Sequence, residues 1–278
     1  MSTGILLAVL GAALLHALWN AMIKVGTSKA GAMTVLSLAE IPIGLVVAMS
    51  RPAMATAAWP WVLAAGCTHF FYKSFLTYAY DQGDLSRVYP IARGAAPMIV
   101  LLAGSVLLAD IIAPMEYLGV IVVGLGILLM TRGVFSSGES RKLVPFALGS
   151  ACATAGYTLI DGIGARVSGD AVAYIGWVFV VDGLLYSTGS LALRGRAVLP
   201  VRSRDWALGV VAAAASYVAY AVSVWAMTKA PIALVAALRE TSILFAVLIG
   251  WLVFHEKMTG EKALSAGLIV TGVLLTRL

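Results

Sequence analysis

The chain has 278 residues, of which 61% are hydrophobic and only 12% charged, with a formal net charge of +6 and a mean hydropathy of +0.97. Soluble proteins carry about 25% charged residues, so this composition cannot wet a surface on all sides and excludes a soluble globular protein. The positive charge is spread over short connections and forms no basic block, so nucleic acid is not an expected partner and membrane lipids are.

A membrane-crossing helix needs about 20 consecutive apolar residues. Ten such runs follow one another, at 4–24, 31–50, 59–80, 87–109, 115–132, 143–165, 170–193, 205–228, 231–254 and 261–277. The sequence therefore predicts an all-α membrane protein with ten transmembrane helices. The first run lacks a charged leader and is read as a retained helix. Cys67 and Cys152 fall inside apolar runs and are expected to be packing residues.

The first run carries His16, Trp19 and Asn20, with His16 and Asn20 one helical turn apart. They form either a pocket wall or hydrogen-bonding glue between helices, the latter worth about 0.6 kcal/mol on average. In the second run Glu40 precedes Pro42 and is the leading proton-coupling candidate, since intramembrane carboxylates serve proton relays. The third run places His69, Lys73 and Thr77 at i, i+4, i+8, a stripe ill-suited to lipid. Lys73 is a second coupling candidate and Tyr72 an aromatic wall. Tyr78, Tyr80 and Trp225 fit an interfacial belt instead.

The fourth run opens on Tyr89, Pro90 and Arg93, closely followed by Pro97. Arg93 either snorkels to the headgroups or lines a substrate path together with Tyr89. Tyr157 and Asp161 lie in the sixth run, Asp182 in the seventh, and Tyr217 and Tyr220 in the eighth. Asp161 and Asp182 are proton carriers or ion-pair partners of Lys73, Arg93 or Arg239. The ninth run holds Arg239, Glu240 and Ser242. An arginine at the centre of a span costs about 2.5–3.5 kcal/mol on insertion scales, so Arg239 is expected to face a cavity or an acid. Ser242 is predicted on its face, and Glu240 about 100° away as a coupling or pairing carboxylate. Asp110 and Glu256 fall at helix ends and look like caps or loop anchors.

The halves resemble each other. A shift of 138 lays Trp19 on Tyr157 and Asn20 on Thr158, a shift of 146 lays Arg93 on Arg239 and Asp110 on Glu256, and a shift of 148 lays Gly119 on Gly267. Five helices per half, an odd number, give two inverted five-helix repeats, 1–135 and 143–278, the arrangement of many secondary transporters. Arginine and lysine in alternate connections divide four against twelve. By the positive-inside bias this places both termini outside. No catalytic motif or metal-ligand spacing occurs, so no enzyme activity, metal or cofactor is expected. The competing class is a non-transporting membrane enzyme or scaffold.

The stretch 245–259, ending His255-Glu256-Lys257-Met258-Thr259, followed by Gly267 and Gly272, resembles the EamA-like branch of the drug/metabolite transporter superfamily. The first-half copy runs from Pro97 to Asp110, Gly119 and Gly124. It departs from the family pattern at Asp110, where Glu is usual, and Ile243 stands where a proline is usual. The resemblance covers the whole chain. It implies a ten-helix permease or exporter of small organic solutes working by alternating access, in some members with protons as coupling ion. It also implies a multi-pass protein of the bacterial inner membrane, monomeric or homodimeric, with cytoplasmic termini. Mixed arginines, acids and aromatics point to a zwitterionic or anionic solute, such as an amino acid or an organophosphonate-like compound. The alternative is a proton-coupled exporter of amphiphilic drugs or amines.

Overall fold

The computed structural model describes residues 1–25, 28–82, 96–108, 110–130, 143–253, 255 and 258–276. Tyr89, Pro90, Arg93 and Glu256 lie outside the described residues. Within them the chain is helical: α1 (Thr3–Val25), α2 (Lys29–Met49), α3 (Trp59–Gln82), α4 (Ala96–Leu107), α5 (Pro114–Met130), α6 (Leu143–Ser168), α7 (Ala171–Arg194), α8 (Ser203–Met227), α9 in two segments (Ile232–Arg239 and Ser242–Leu252) and α10 (Gly260–Leu275). Lipid offers no hydrogen bonds, so each backbone must satisfy itself within a helix. Polar caps end the spans: the Asp170 carboxylate accepts the Val172 and Ala173 N–H groups at 3.0 Å each, and Thr259 Oγ1 accepts that of Lys262 at 3.3 Å.

Among the described residues five helices are long and apolar enough to cross a membrane: Thr3–Ile23, Lys29–Met49, Ala171–Arg194, Ser203–Met227 and Ile232–Leu252. Helices α3 and α6, of 24 and 26 residues, are as long but more polar, because they carry His69, Lys73 and Asp161. They pack against each other and bury those groups.

The helices of the first half take their principal neighbours from the second. Helix α1 packs on α8, α2 on α7, α3 on α6 and α5 on α10, with α2 also touching α8 and α3 touching α7. Glycine permits the closest of these approaches. A Cβ at Gly119 would lie 2.7 Å from the Gly272 carbonyl oxygen, and one at Gly272 would lie 2.7 Å from that of Gly119.

The main apolar core lies among α1–α3 and α6–α8 and includes Trp19, Tyr72, Tyr157, Tyr217 and Tyr220. One expectation is overturned. Cys67 and Cys152 are exposed on the outside of the bundle. The inward face of α3 is set by Val62, Ala65, Gly66, His69, Tyr72, Lys73 and Leu76, and that of α6 by Ala147, Ser150, Ala151 and Thr154. Both cysteines fall one residue past these helical stripes.

Candidate functional site

The polar stripe of α3 is buried as a unit, with His69, Lys73 and Thr77 all in the interior. Lys73 reaches two carboxylates from neighbouring helices. Its Nζ lies 2.6 Å from Glu40 Oε2 on α2 and 2.5 Å from Asp182 Oδ2 on α7, and it donates to Ser37 Oγ at 2.9 Å. Pro42, which lacks an N–H, leaves the Leu38 carbonyl without its usual helical donor close to this level of α2. One turn further along α3, Thr77 Oγ1 and the Tyr186 hydroxyl share a hydrogen bond of 2.9 Å, and the Tyr186 ring centre lies 5.8 Å from Lys73 Nζ. Beyond it a groove lined by Phe70, Ser74, Tyr78, Gly189 and Arg194 opens between α3 and α7.

His69, one turn from Lys73 in the other direction, belongs to a second cluster centred on Asp161 of α6. Its Nε2 is 2.9 Å from Asp161 Oδ2. The Tyr220 hydroxyl donates to the same oxygen at 2.5 Å, and the Tyr174 hydroxyl donates to Oδ1 at 3.0 Å. Three helices thus converge on a fully buried carboxylate, which answers the cost of burying it. Gly164, three residues after Asp161, makes room. A Cβ there would overlap the Tyr174 ring, so only glycine lets that hydroxyl reach the acid.

The His69 ring stacks on Tyr157, with centroids 4.1 Å apart and planes at 19°. Tyr157 continues the aromatic wall to Tyr72 and Tyr220. Against this wall sits Arg239. Its guanidinium carbon is 5.7 Å from the Tyr157 ring centre and 5.4 Å from that of Tyr220, its Nη2 donates to Thr158 Oγ1 at 3.3 Å, and its Nε is 4.0 Å from Glu240 Oε1. Only 3% of Arg239 is exposed. It ends the first segment of α9, where Glu240, Thr241 and Ile243 donate their N–H groups to Ala237, Leu238 and Glu240, three residues back. Such a tightened turn interrupts the regular helix. Arg239 and Ser242 therefore flank a break instead of sharing one continuous face, and the Ser242 hydroxyl is buried without a partner among the described residues.

The sequence-predicted residues among those described fall into four places. Arg239, Tyr157, Tyr220, Tyr72, Asp161 and Glu240 gather around one aromatic wall, and Glu40 joins Lys73. His16, Trp19 and Asn20 bond chiefly within α1: Trp19 Nε1 donates to His16 Nδ1 at 3.2 Å and Asn20 Nδ2 to the His16 carbonyl at 2.8 Å. Tyr217 points elsewhere, its hydroxyl donating to the Val172 carbonyl at 3.1 Å while its ring meets Phe179. Asp182 is the partner of Lys73 and leaves Arg239 to the tyrosines. Tyr174 and Tyr186 were not anticipated, because an isolated tyrosine in an apolar run looks like any other core residue.

Asp110 acts as an anchor. It holds Arg166 through two hydrogen bonds, 2.7 and 3.1 Å, and accepts the Ile232 N–H at 2.9 Å, capping α9. Arg51 pairs with Asp170 at 2.8 Å at the same face of the bundle.

Comparison with known proteins agrees with this architecture. Residues 141–278 match the EamA-like transporter family. No curated protein matches the chain. Among solved structures, one crystal structure of a protein superposes over 100% of this chain and 99% of its own, with a TM-score of 0.77 at 19% identity, a likeness of fold. The chain is a multi-pass membrane protein that carries, at residues 141–278, a domain of the EamA-like transporter family, a family of small-molecule membrane transporters.

Proposed function

We propose that the chain is a secondary transporter, without enzymatic activity, for a small zwitterionic or anionic organic metabolite in a bacterial inner membrane. The observation that carries this reading is the placement of Arg239: buried at a break in α9, against Tyr157 and Tyr220, with Thr158 beside it. A guanidinium offers bidentate recognition of carboxylate or phosphonate, and flanking tyrosines supply apolar walls with polar tips. A broken helix inside a span is where transporters expose backbone and side-chain groups to a solute.

The pairing of α1 with α8, α3 with α6, α2 with α7 and α5 with α10 supports two inverted repeats, because exchanging the halves maps the set of pairs onto itself. Alternating access about an axis between the halves follows from that reading. Arg93 and Tyr89 enter it through the sequence repeat alone, and Trp19 and Asn20 as the repeat partners of Tyr157 and Thr158. His16, Tyr72, Tyr217 and Ser242 complete the proposed lining, with Glu40, Lys73, Glu240 and Asp161 as coupling residues.

Counterflow into proteoliposomes, across amino acids, amines and organic anions, tests the proposal. Transport of a carboxylate- or phosphonate-bearing solute is expected. Transport confined to neutral or purely cationic solutes would overturn it and favour an exporter of amphiphilic amines.

A further inference from the structure

Two carboxylates and one ammonium meet at the crossing of α2, α3 and α7, and their charges do not balance. Glu40, Asp182 and Lys73 are each at most 5% exposed. Lys73 occupies Glu40 Oε2 and Asp182 Oδ2. Asp182 Oδ1 is buried and has no hydrogen-bond partner among the described residues. Asp161, the other buried aspartate of this core, satisfies both of its oxygens with three donors.

With all three groups ionised, the triad would leave one uncompensated negative charge in the membrane interior, a costly arrangement. The neighbours do not correct it. Helix α2 adds only the neutral Ser37, α7 adds Tyr186, whose hydroxyl is bonded to Thr77, and α3 adds His69, which is committed to Asp161 of α6 together with Tyr220 of α8.

We infer that the Glu40–Lys73–Asp182 triad is an exchange site for a single proton, taken up on the carboxylate pair with Asp182 Oδ1 as the open acceptor. The inference rests on the transporter reading only for its purpose, which is to couple solute movement to proton movement. The binding step itself is simple: a proton from bulk water adds to a carboxylate oxygen, one buried O–H bond forms, and the triad passes from a net charge of −1 to neutral while Lys73 stays an ammonium. Asp182 joins Glu40 and Lys73 here as a residue of the coupling site. The groove at Tyr186, on the basic-loop side of the bundle, lies one turn from the triad and gives water a short approach.

Infrared difference spectroscopy of the full chain in lipid, between mildly acidic and mildly alkaline buffer, reads this without any substrate. The wild type is expected to show a protonated-carboxyl stretch that appears on acidification. Asp182→Asn and Glu40→Gln are each expected to lose that component entirely, because either leaves one carboxylate neutralised by one lysine. Both substitutions are isosteric, and a melting curve for each confirms that the folded protein is being read. Absence of the component in the wild type, or its persistence in either folded variant, overturns the inference. Counterflow failing for every solute while the component behaves as expected would count against the proposed function and leave the proton site standing.

Discussion

Gly44 of α2 and Gly176 of α7 meet so closely that a Cβ on Gly44 would lie 2.5 Å from the Gly176 carbonyl oxygen, and one on Gly176 would lie 2.8 Å from that of Gly44. The obstacle is backbone on both sides, so no change of rotamer relieves it. Overpacking of this kind costs about 1–3 kcal/mol. Gly44→Leu and Gly176→Leu are each expected to lower the melting temperature in detergent by at least about 2 °C. Gly11→Leu is the control, since nothing lies within 4 Å of a Cβ there. A Gly44→Leu protein that melts with the wild type would mean that α2 and α7 can separate freely at this level.

Arg239→Ala is expected to abolish counterflow while the protein still expresses, inserts and melts cooperatively. Arg239→Lys is the sharper experiment. Lysine keeps the charge but loses the planar fork that recognises a carboxylate or phosphonate bidentately and stacks on tyrosine. At least a tenfold loss of transport is expected from it, equivalent to about 1.4 kcal/mol. Full activity with lysine would show that charge alone is used.

Removing the cation of the triad should be worse than removing all of it. Lys73→Met leaves Glu40 and Asp182 buried side by side, and breaking a buried ion pair by deleting one partner costs about 3–5 kcal/mol. The triple variant Lys73→Met, Glu40→Gln, Asp182→Asn is expected to recover most of that loss. Thermal or denaturant melting of the single and triple variants decides the matter, and equal stability of the two would refute a charge-based account.

Asp170 provides a pH-dependent contribution outside the spans. Burial pushes its carboxyl up, but the Ala173 N–H, the Arg51 guanidinium and the Val172 N–H together outweigh this and hold it below its ordinary value of 3.8. The ionised form is thus favoured by folding. Its stabilisation is complete above that ordinary value and is lost as pH falls through the lower folded one. The difference in melting temperature between wild type and Asp170→Ala should be constant near neutrality and shrink only in strong acid. A difference that grows on acidification would reverse the sign and exclude the mechanism. Loss of an N-cap typically costs about 0.5–2 kcal/mol, which sets the size of the neutral-pH effect.

Much of this was readable in advance, for physical reasons that differ from residue to residue. The spacing of His69, Lys73 and Thr77 alone required an interior face, because lipid cannot partner three polar groups on one stripe. Arg239 announced itself by cost. Asp161 and Asp182 were visible as buried acids, but their partners were open, since ion pairing between helices depends on rotation about each helix axis and on crossing geometry. Cys67 and Cys152 needed helical rotation to be placed: each stands two residues, about 200° around the helix, before a buried polar residue, His69 on α3 and Thr154 on α6, so the polar stripe that faces inward turns the cysteine outward. The break after Arg239 was hidden because Glu240, Thr241 and Ser242 have no helix-breaking residue among them.

The cross-pairing of the helices has a consequence for biosynthesis. Helices α1, α2 and α3 are made before α8, α7 and α6, the elements they pack against. Until the sixth helix appears His69 waits without Asp161, and until the seventh appears Lys73 and Glu40 wait without Asp182. The nascent first half therefore has polar groups in or near the bilayer that only later synthesis can satisfy. The order of synthesis makes partners available outward from the chain's midpoint, α6 for α3 first, then α7 for α2, then α8 for α1, so the earliest helix made is the last of the three whose partner is synthesised.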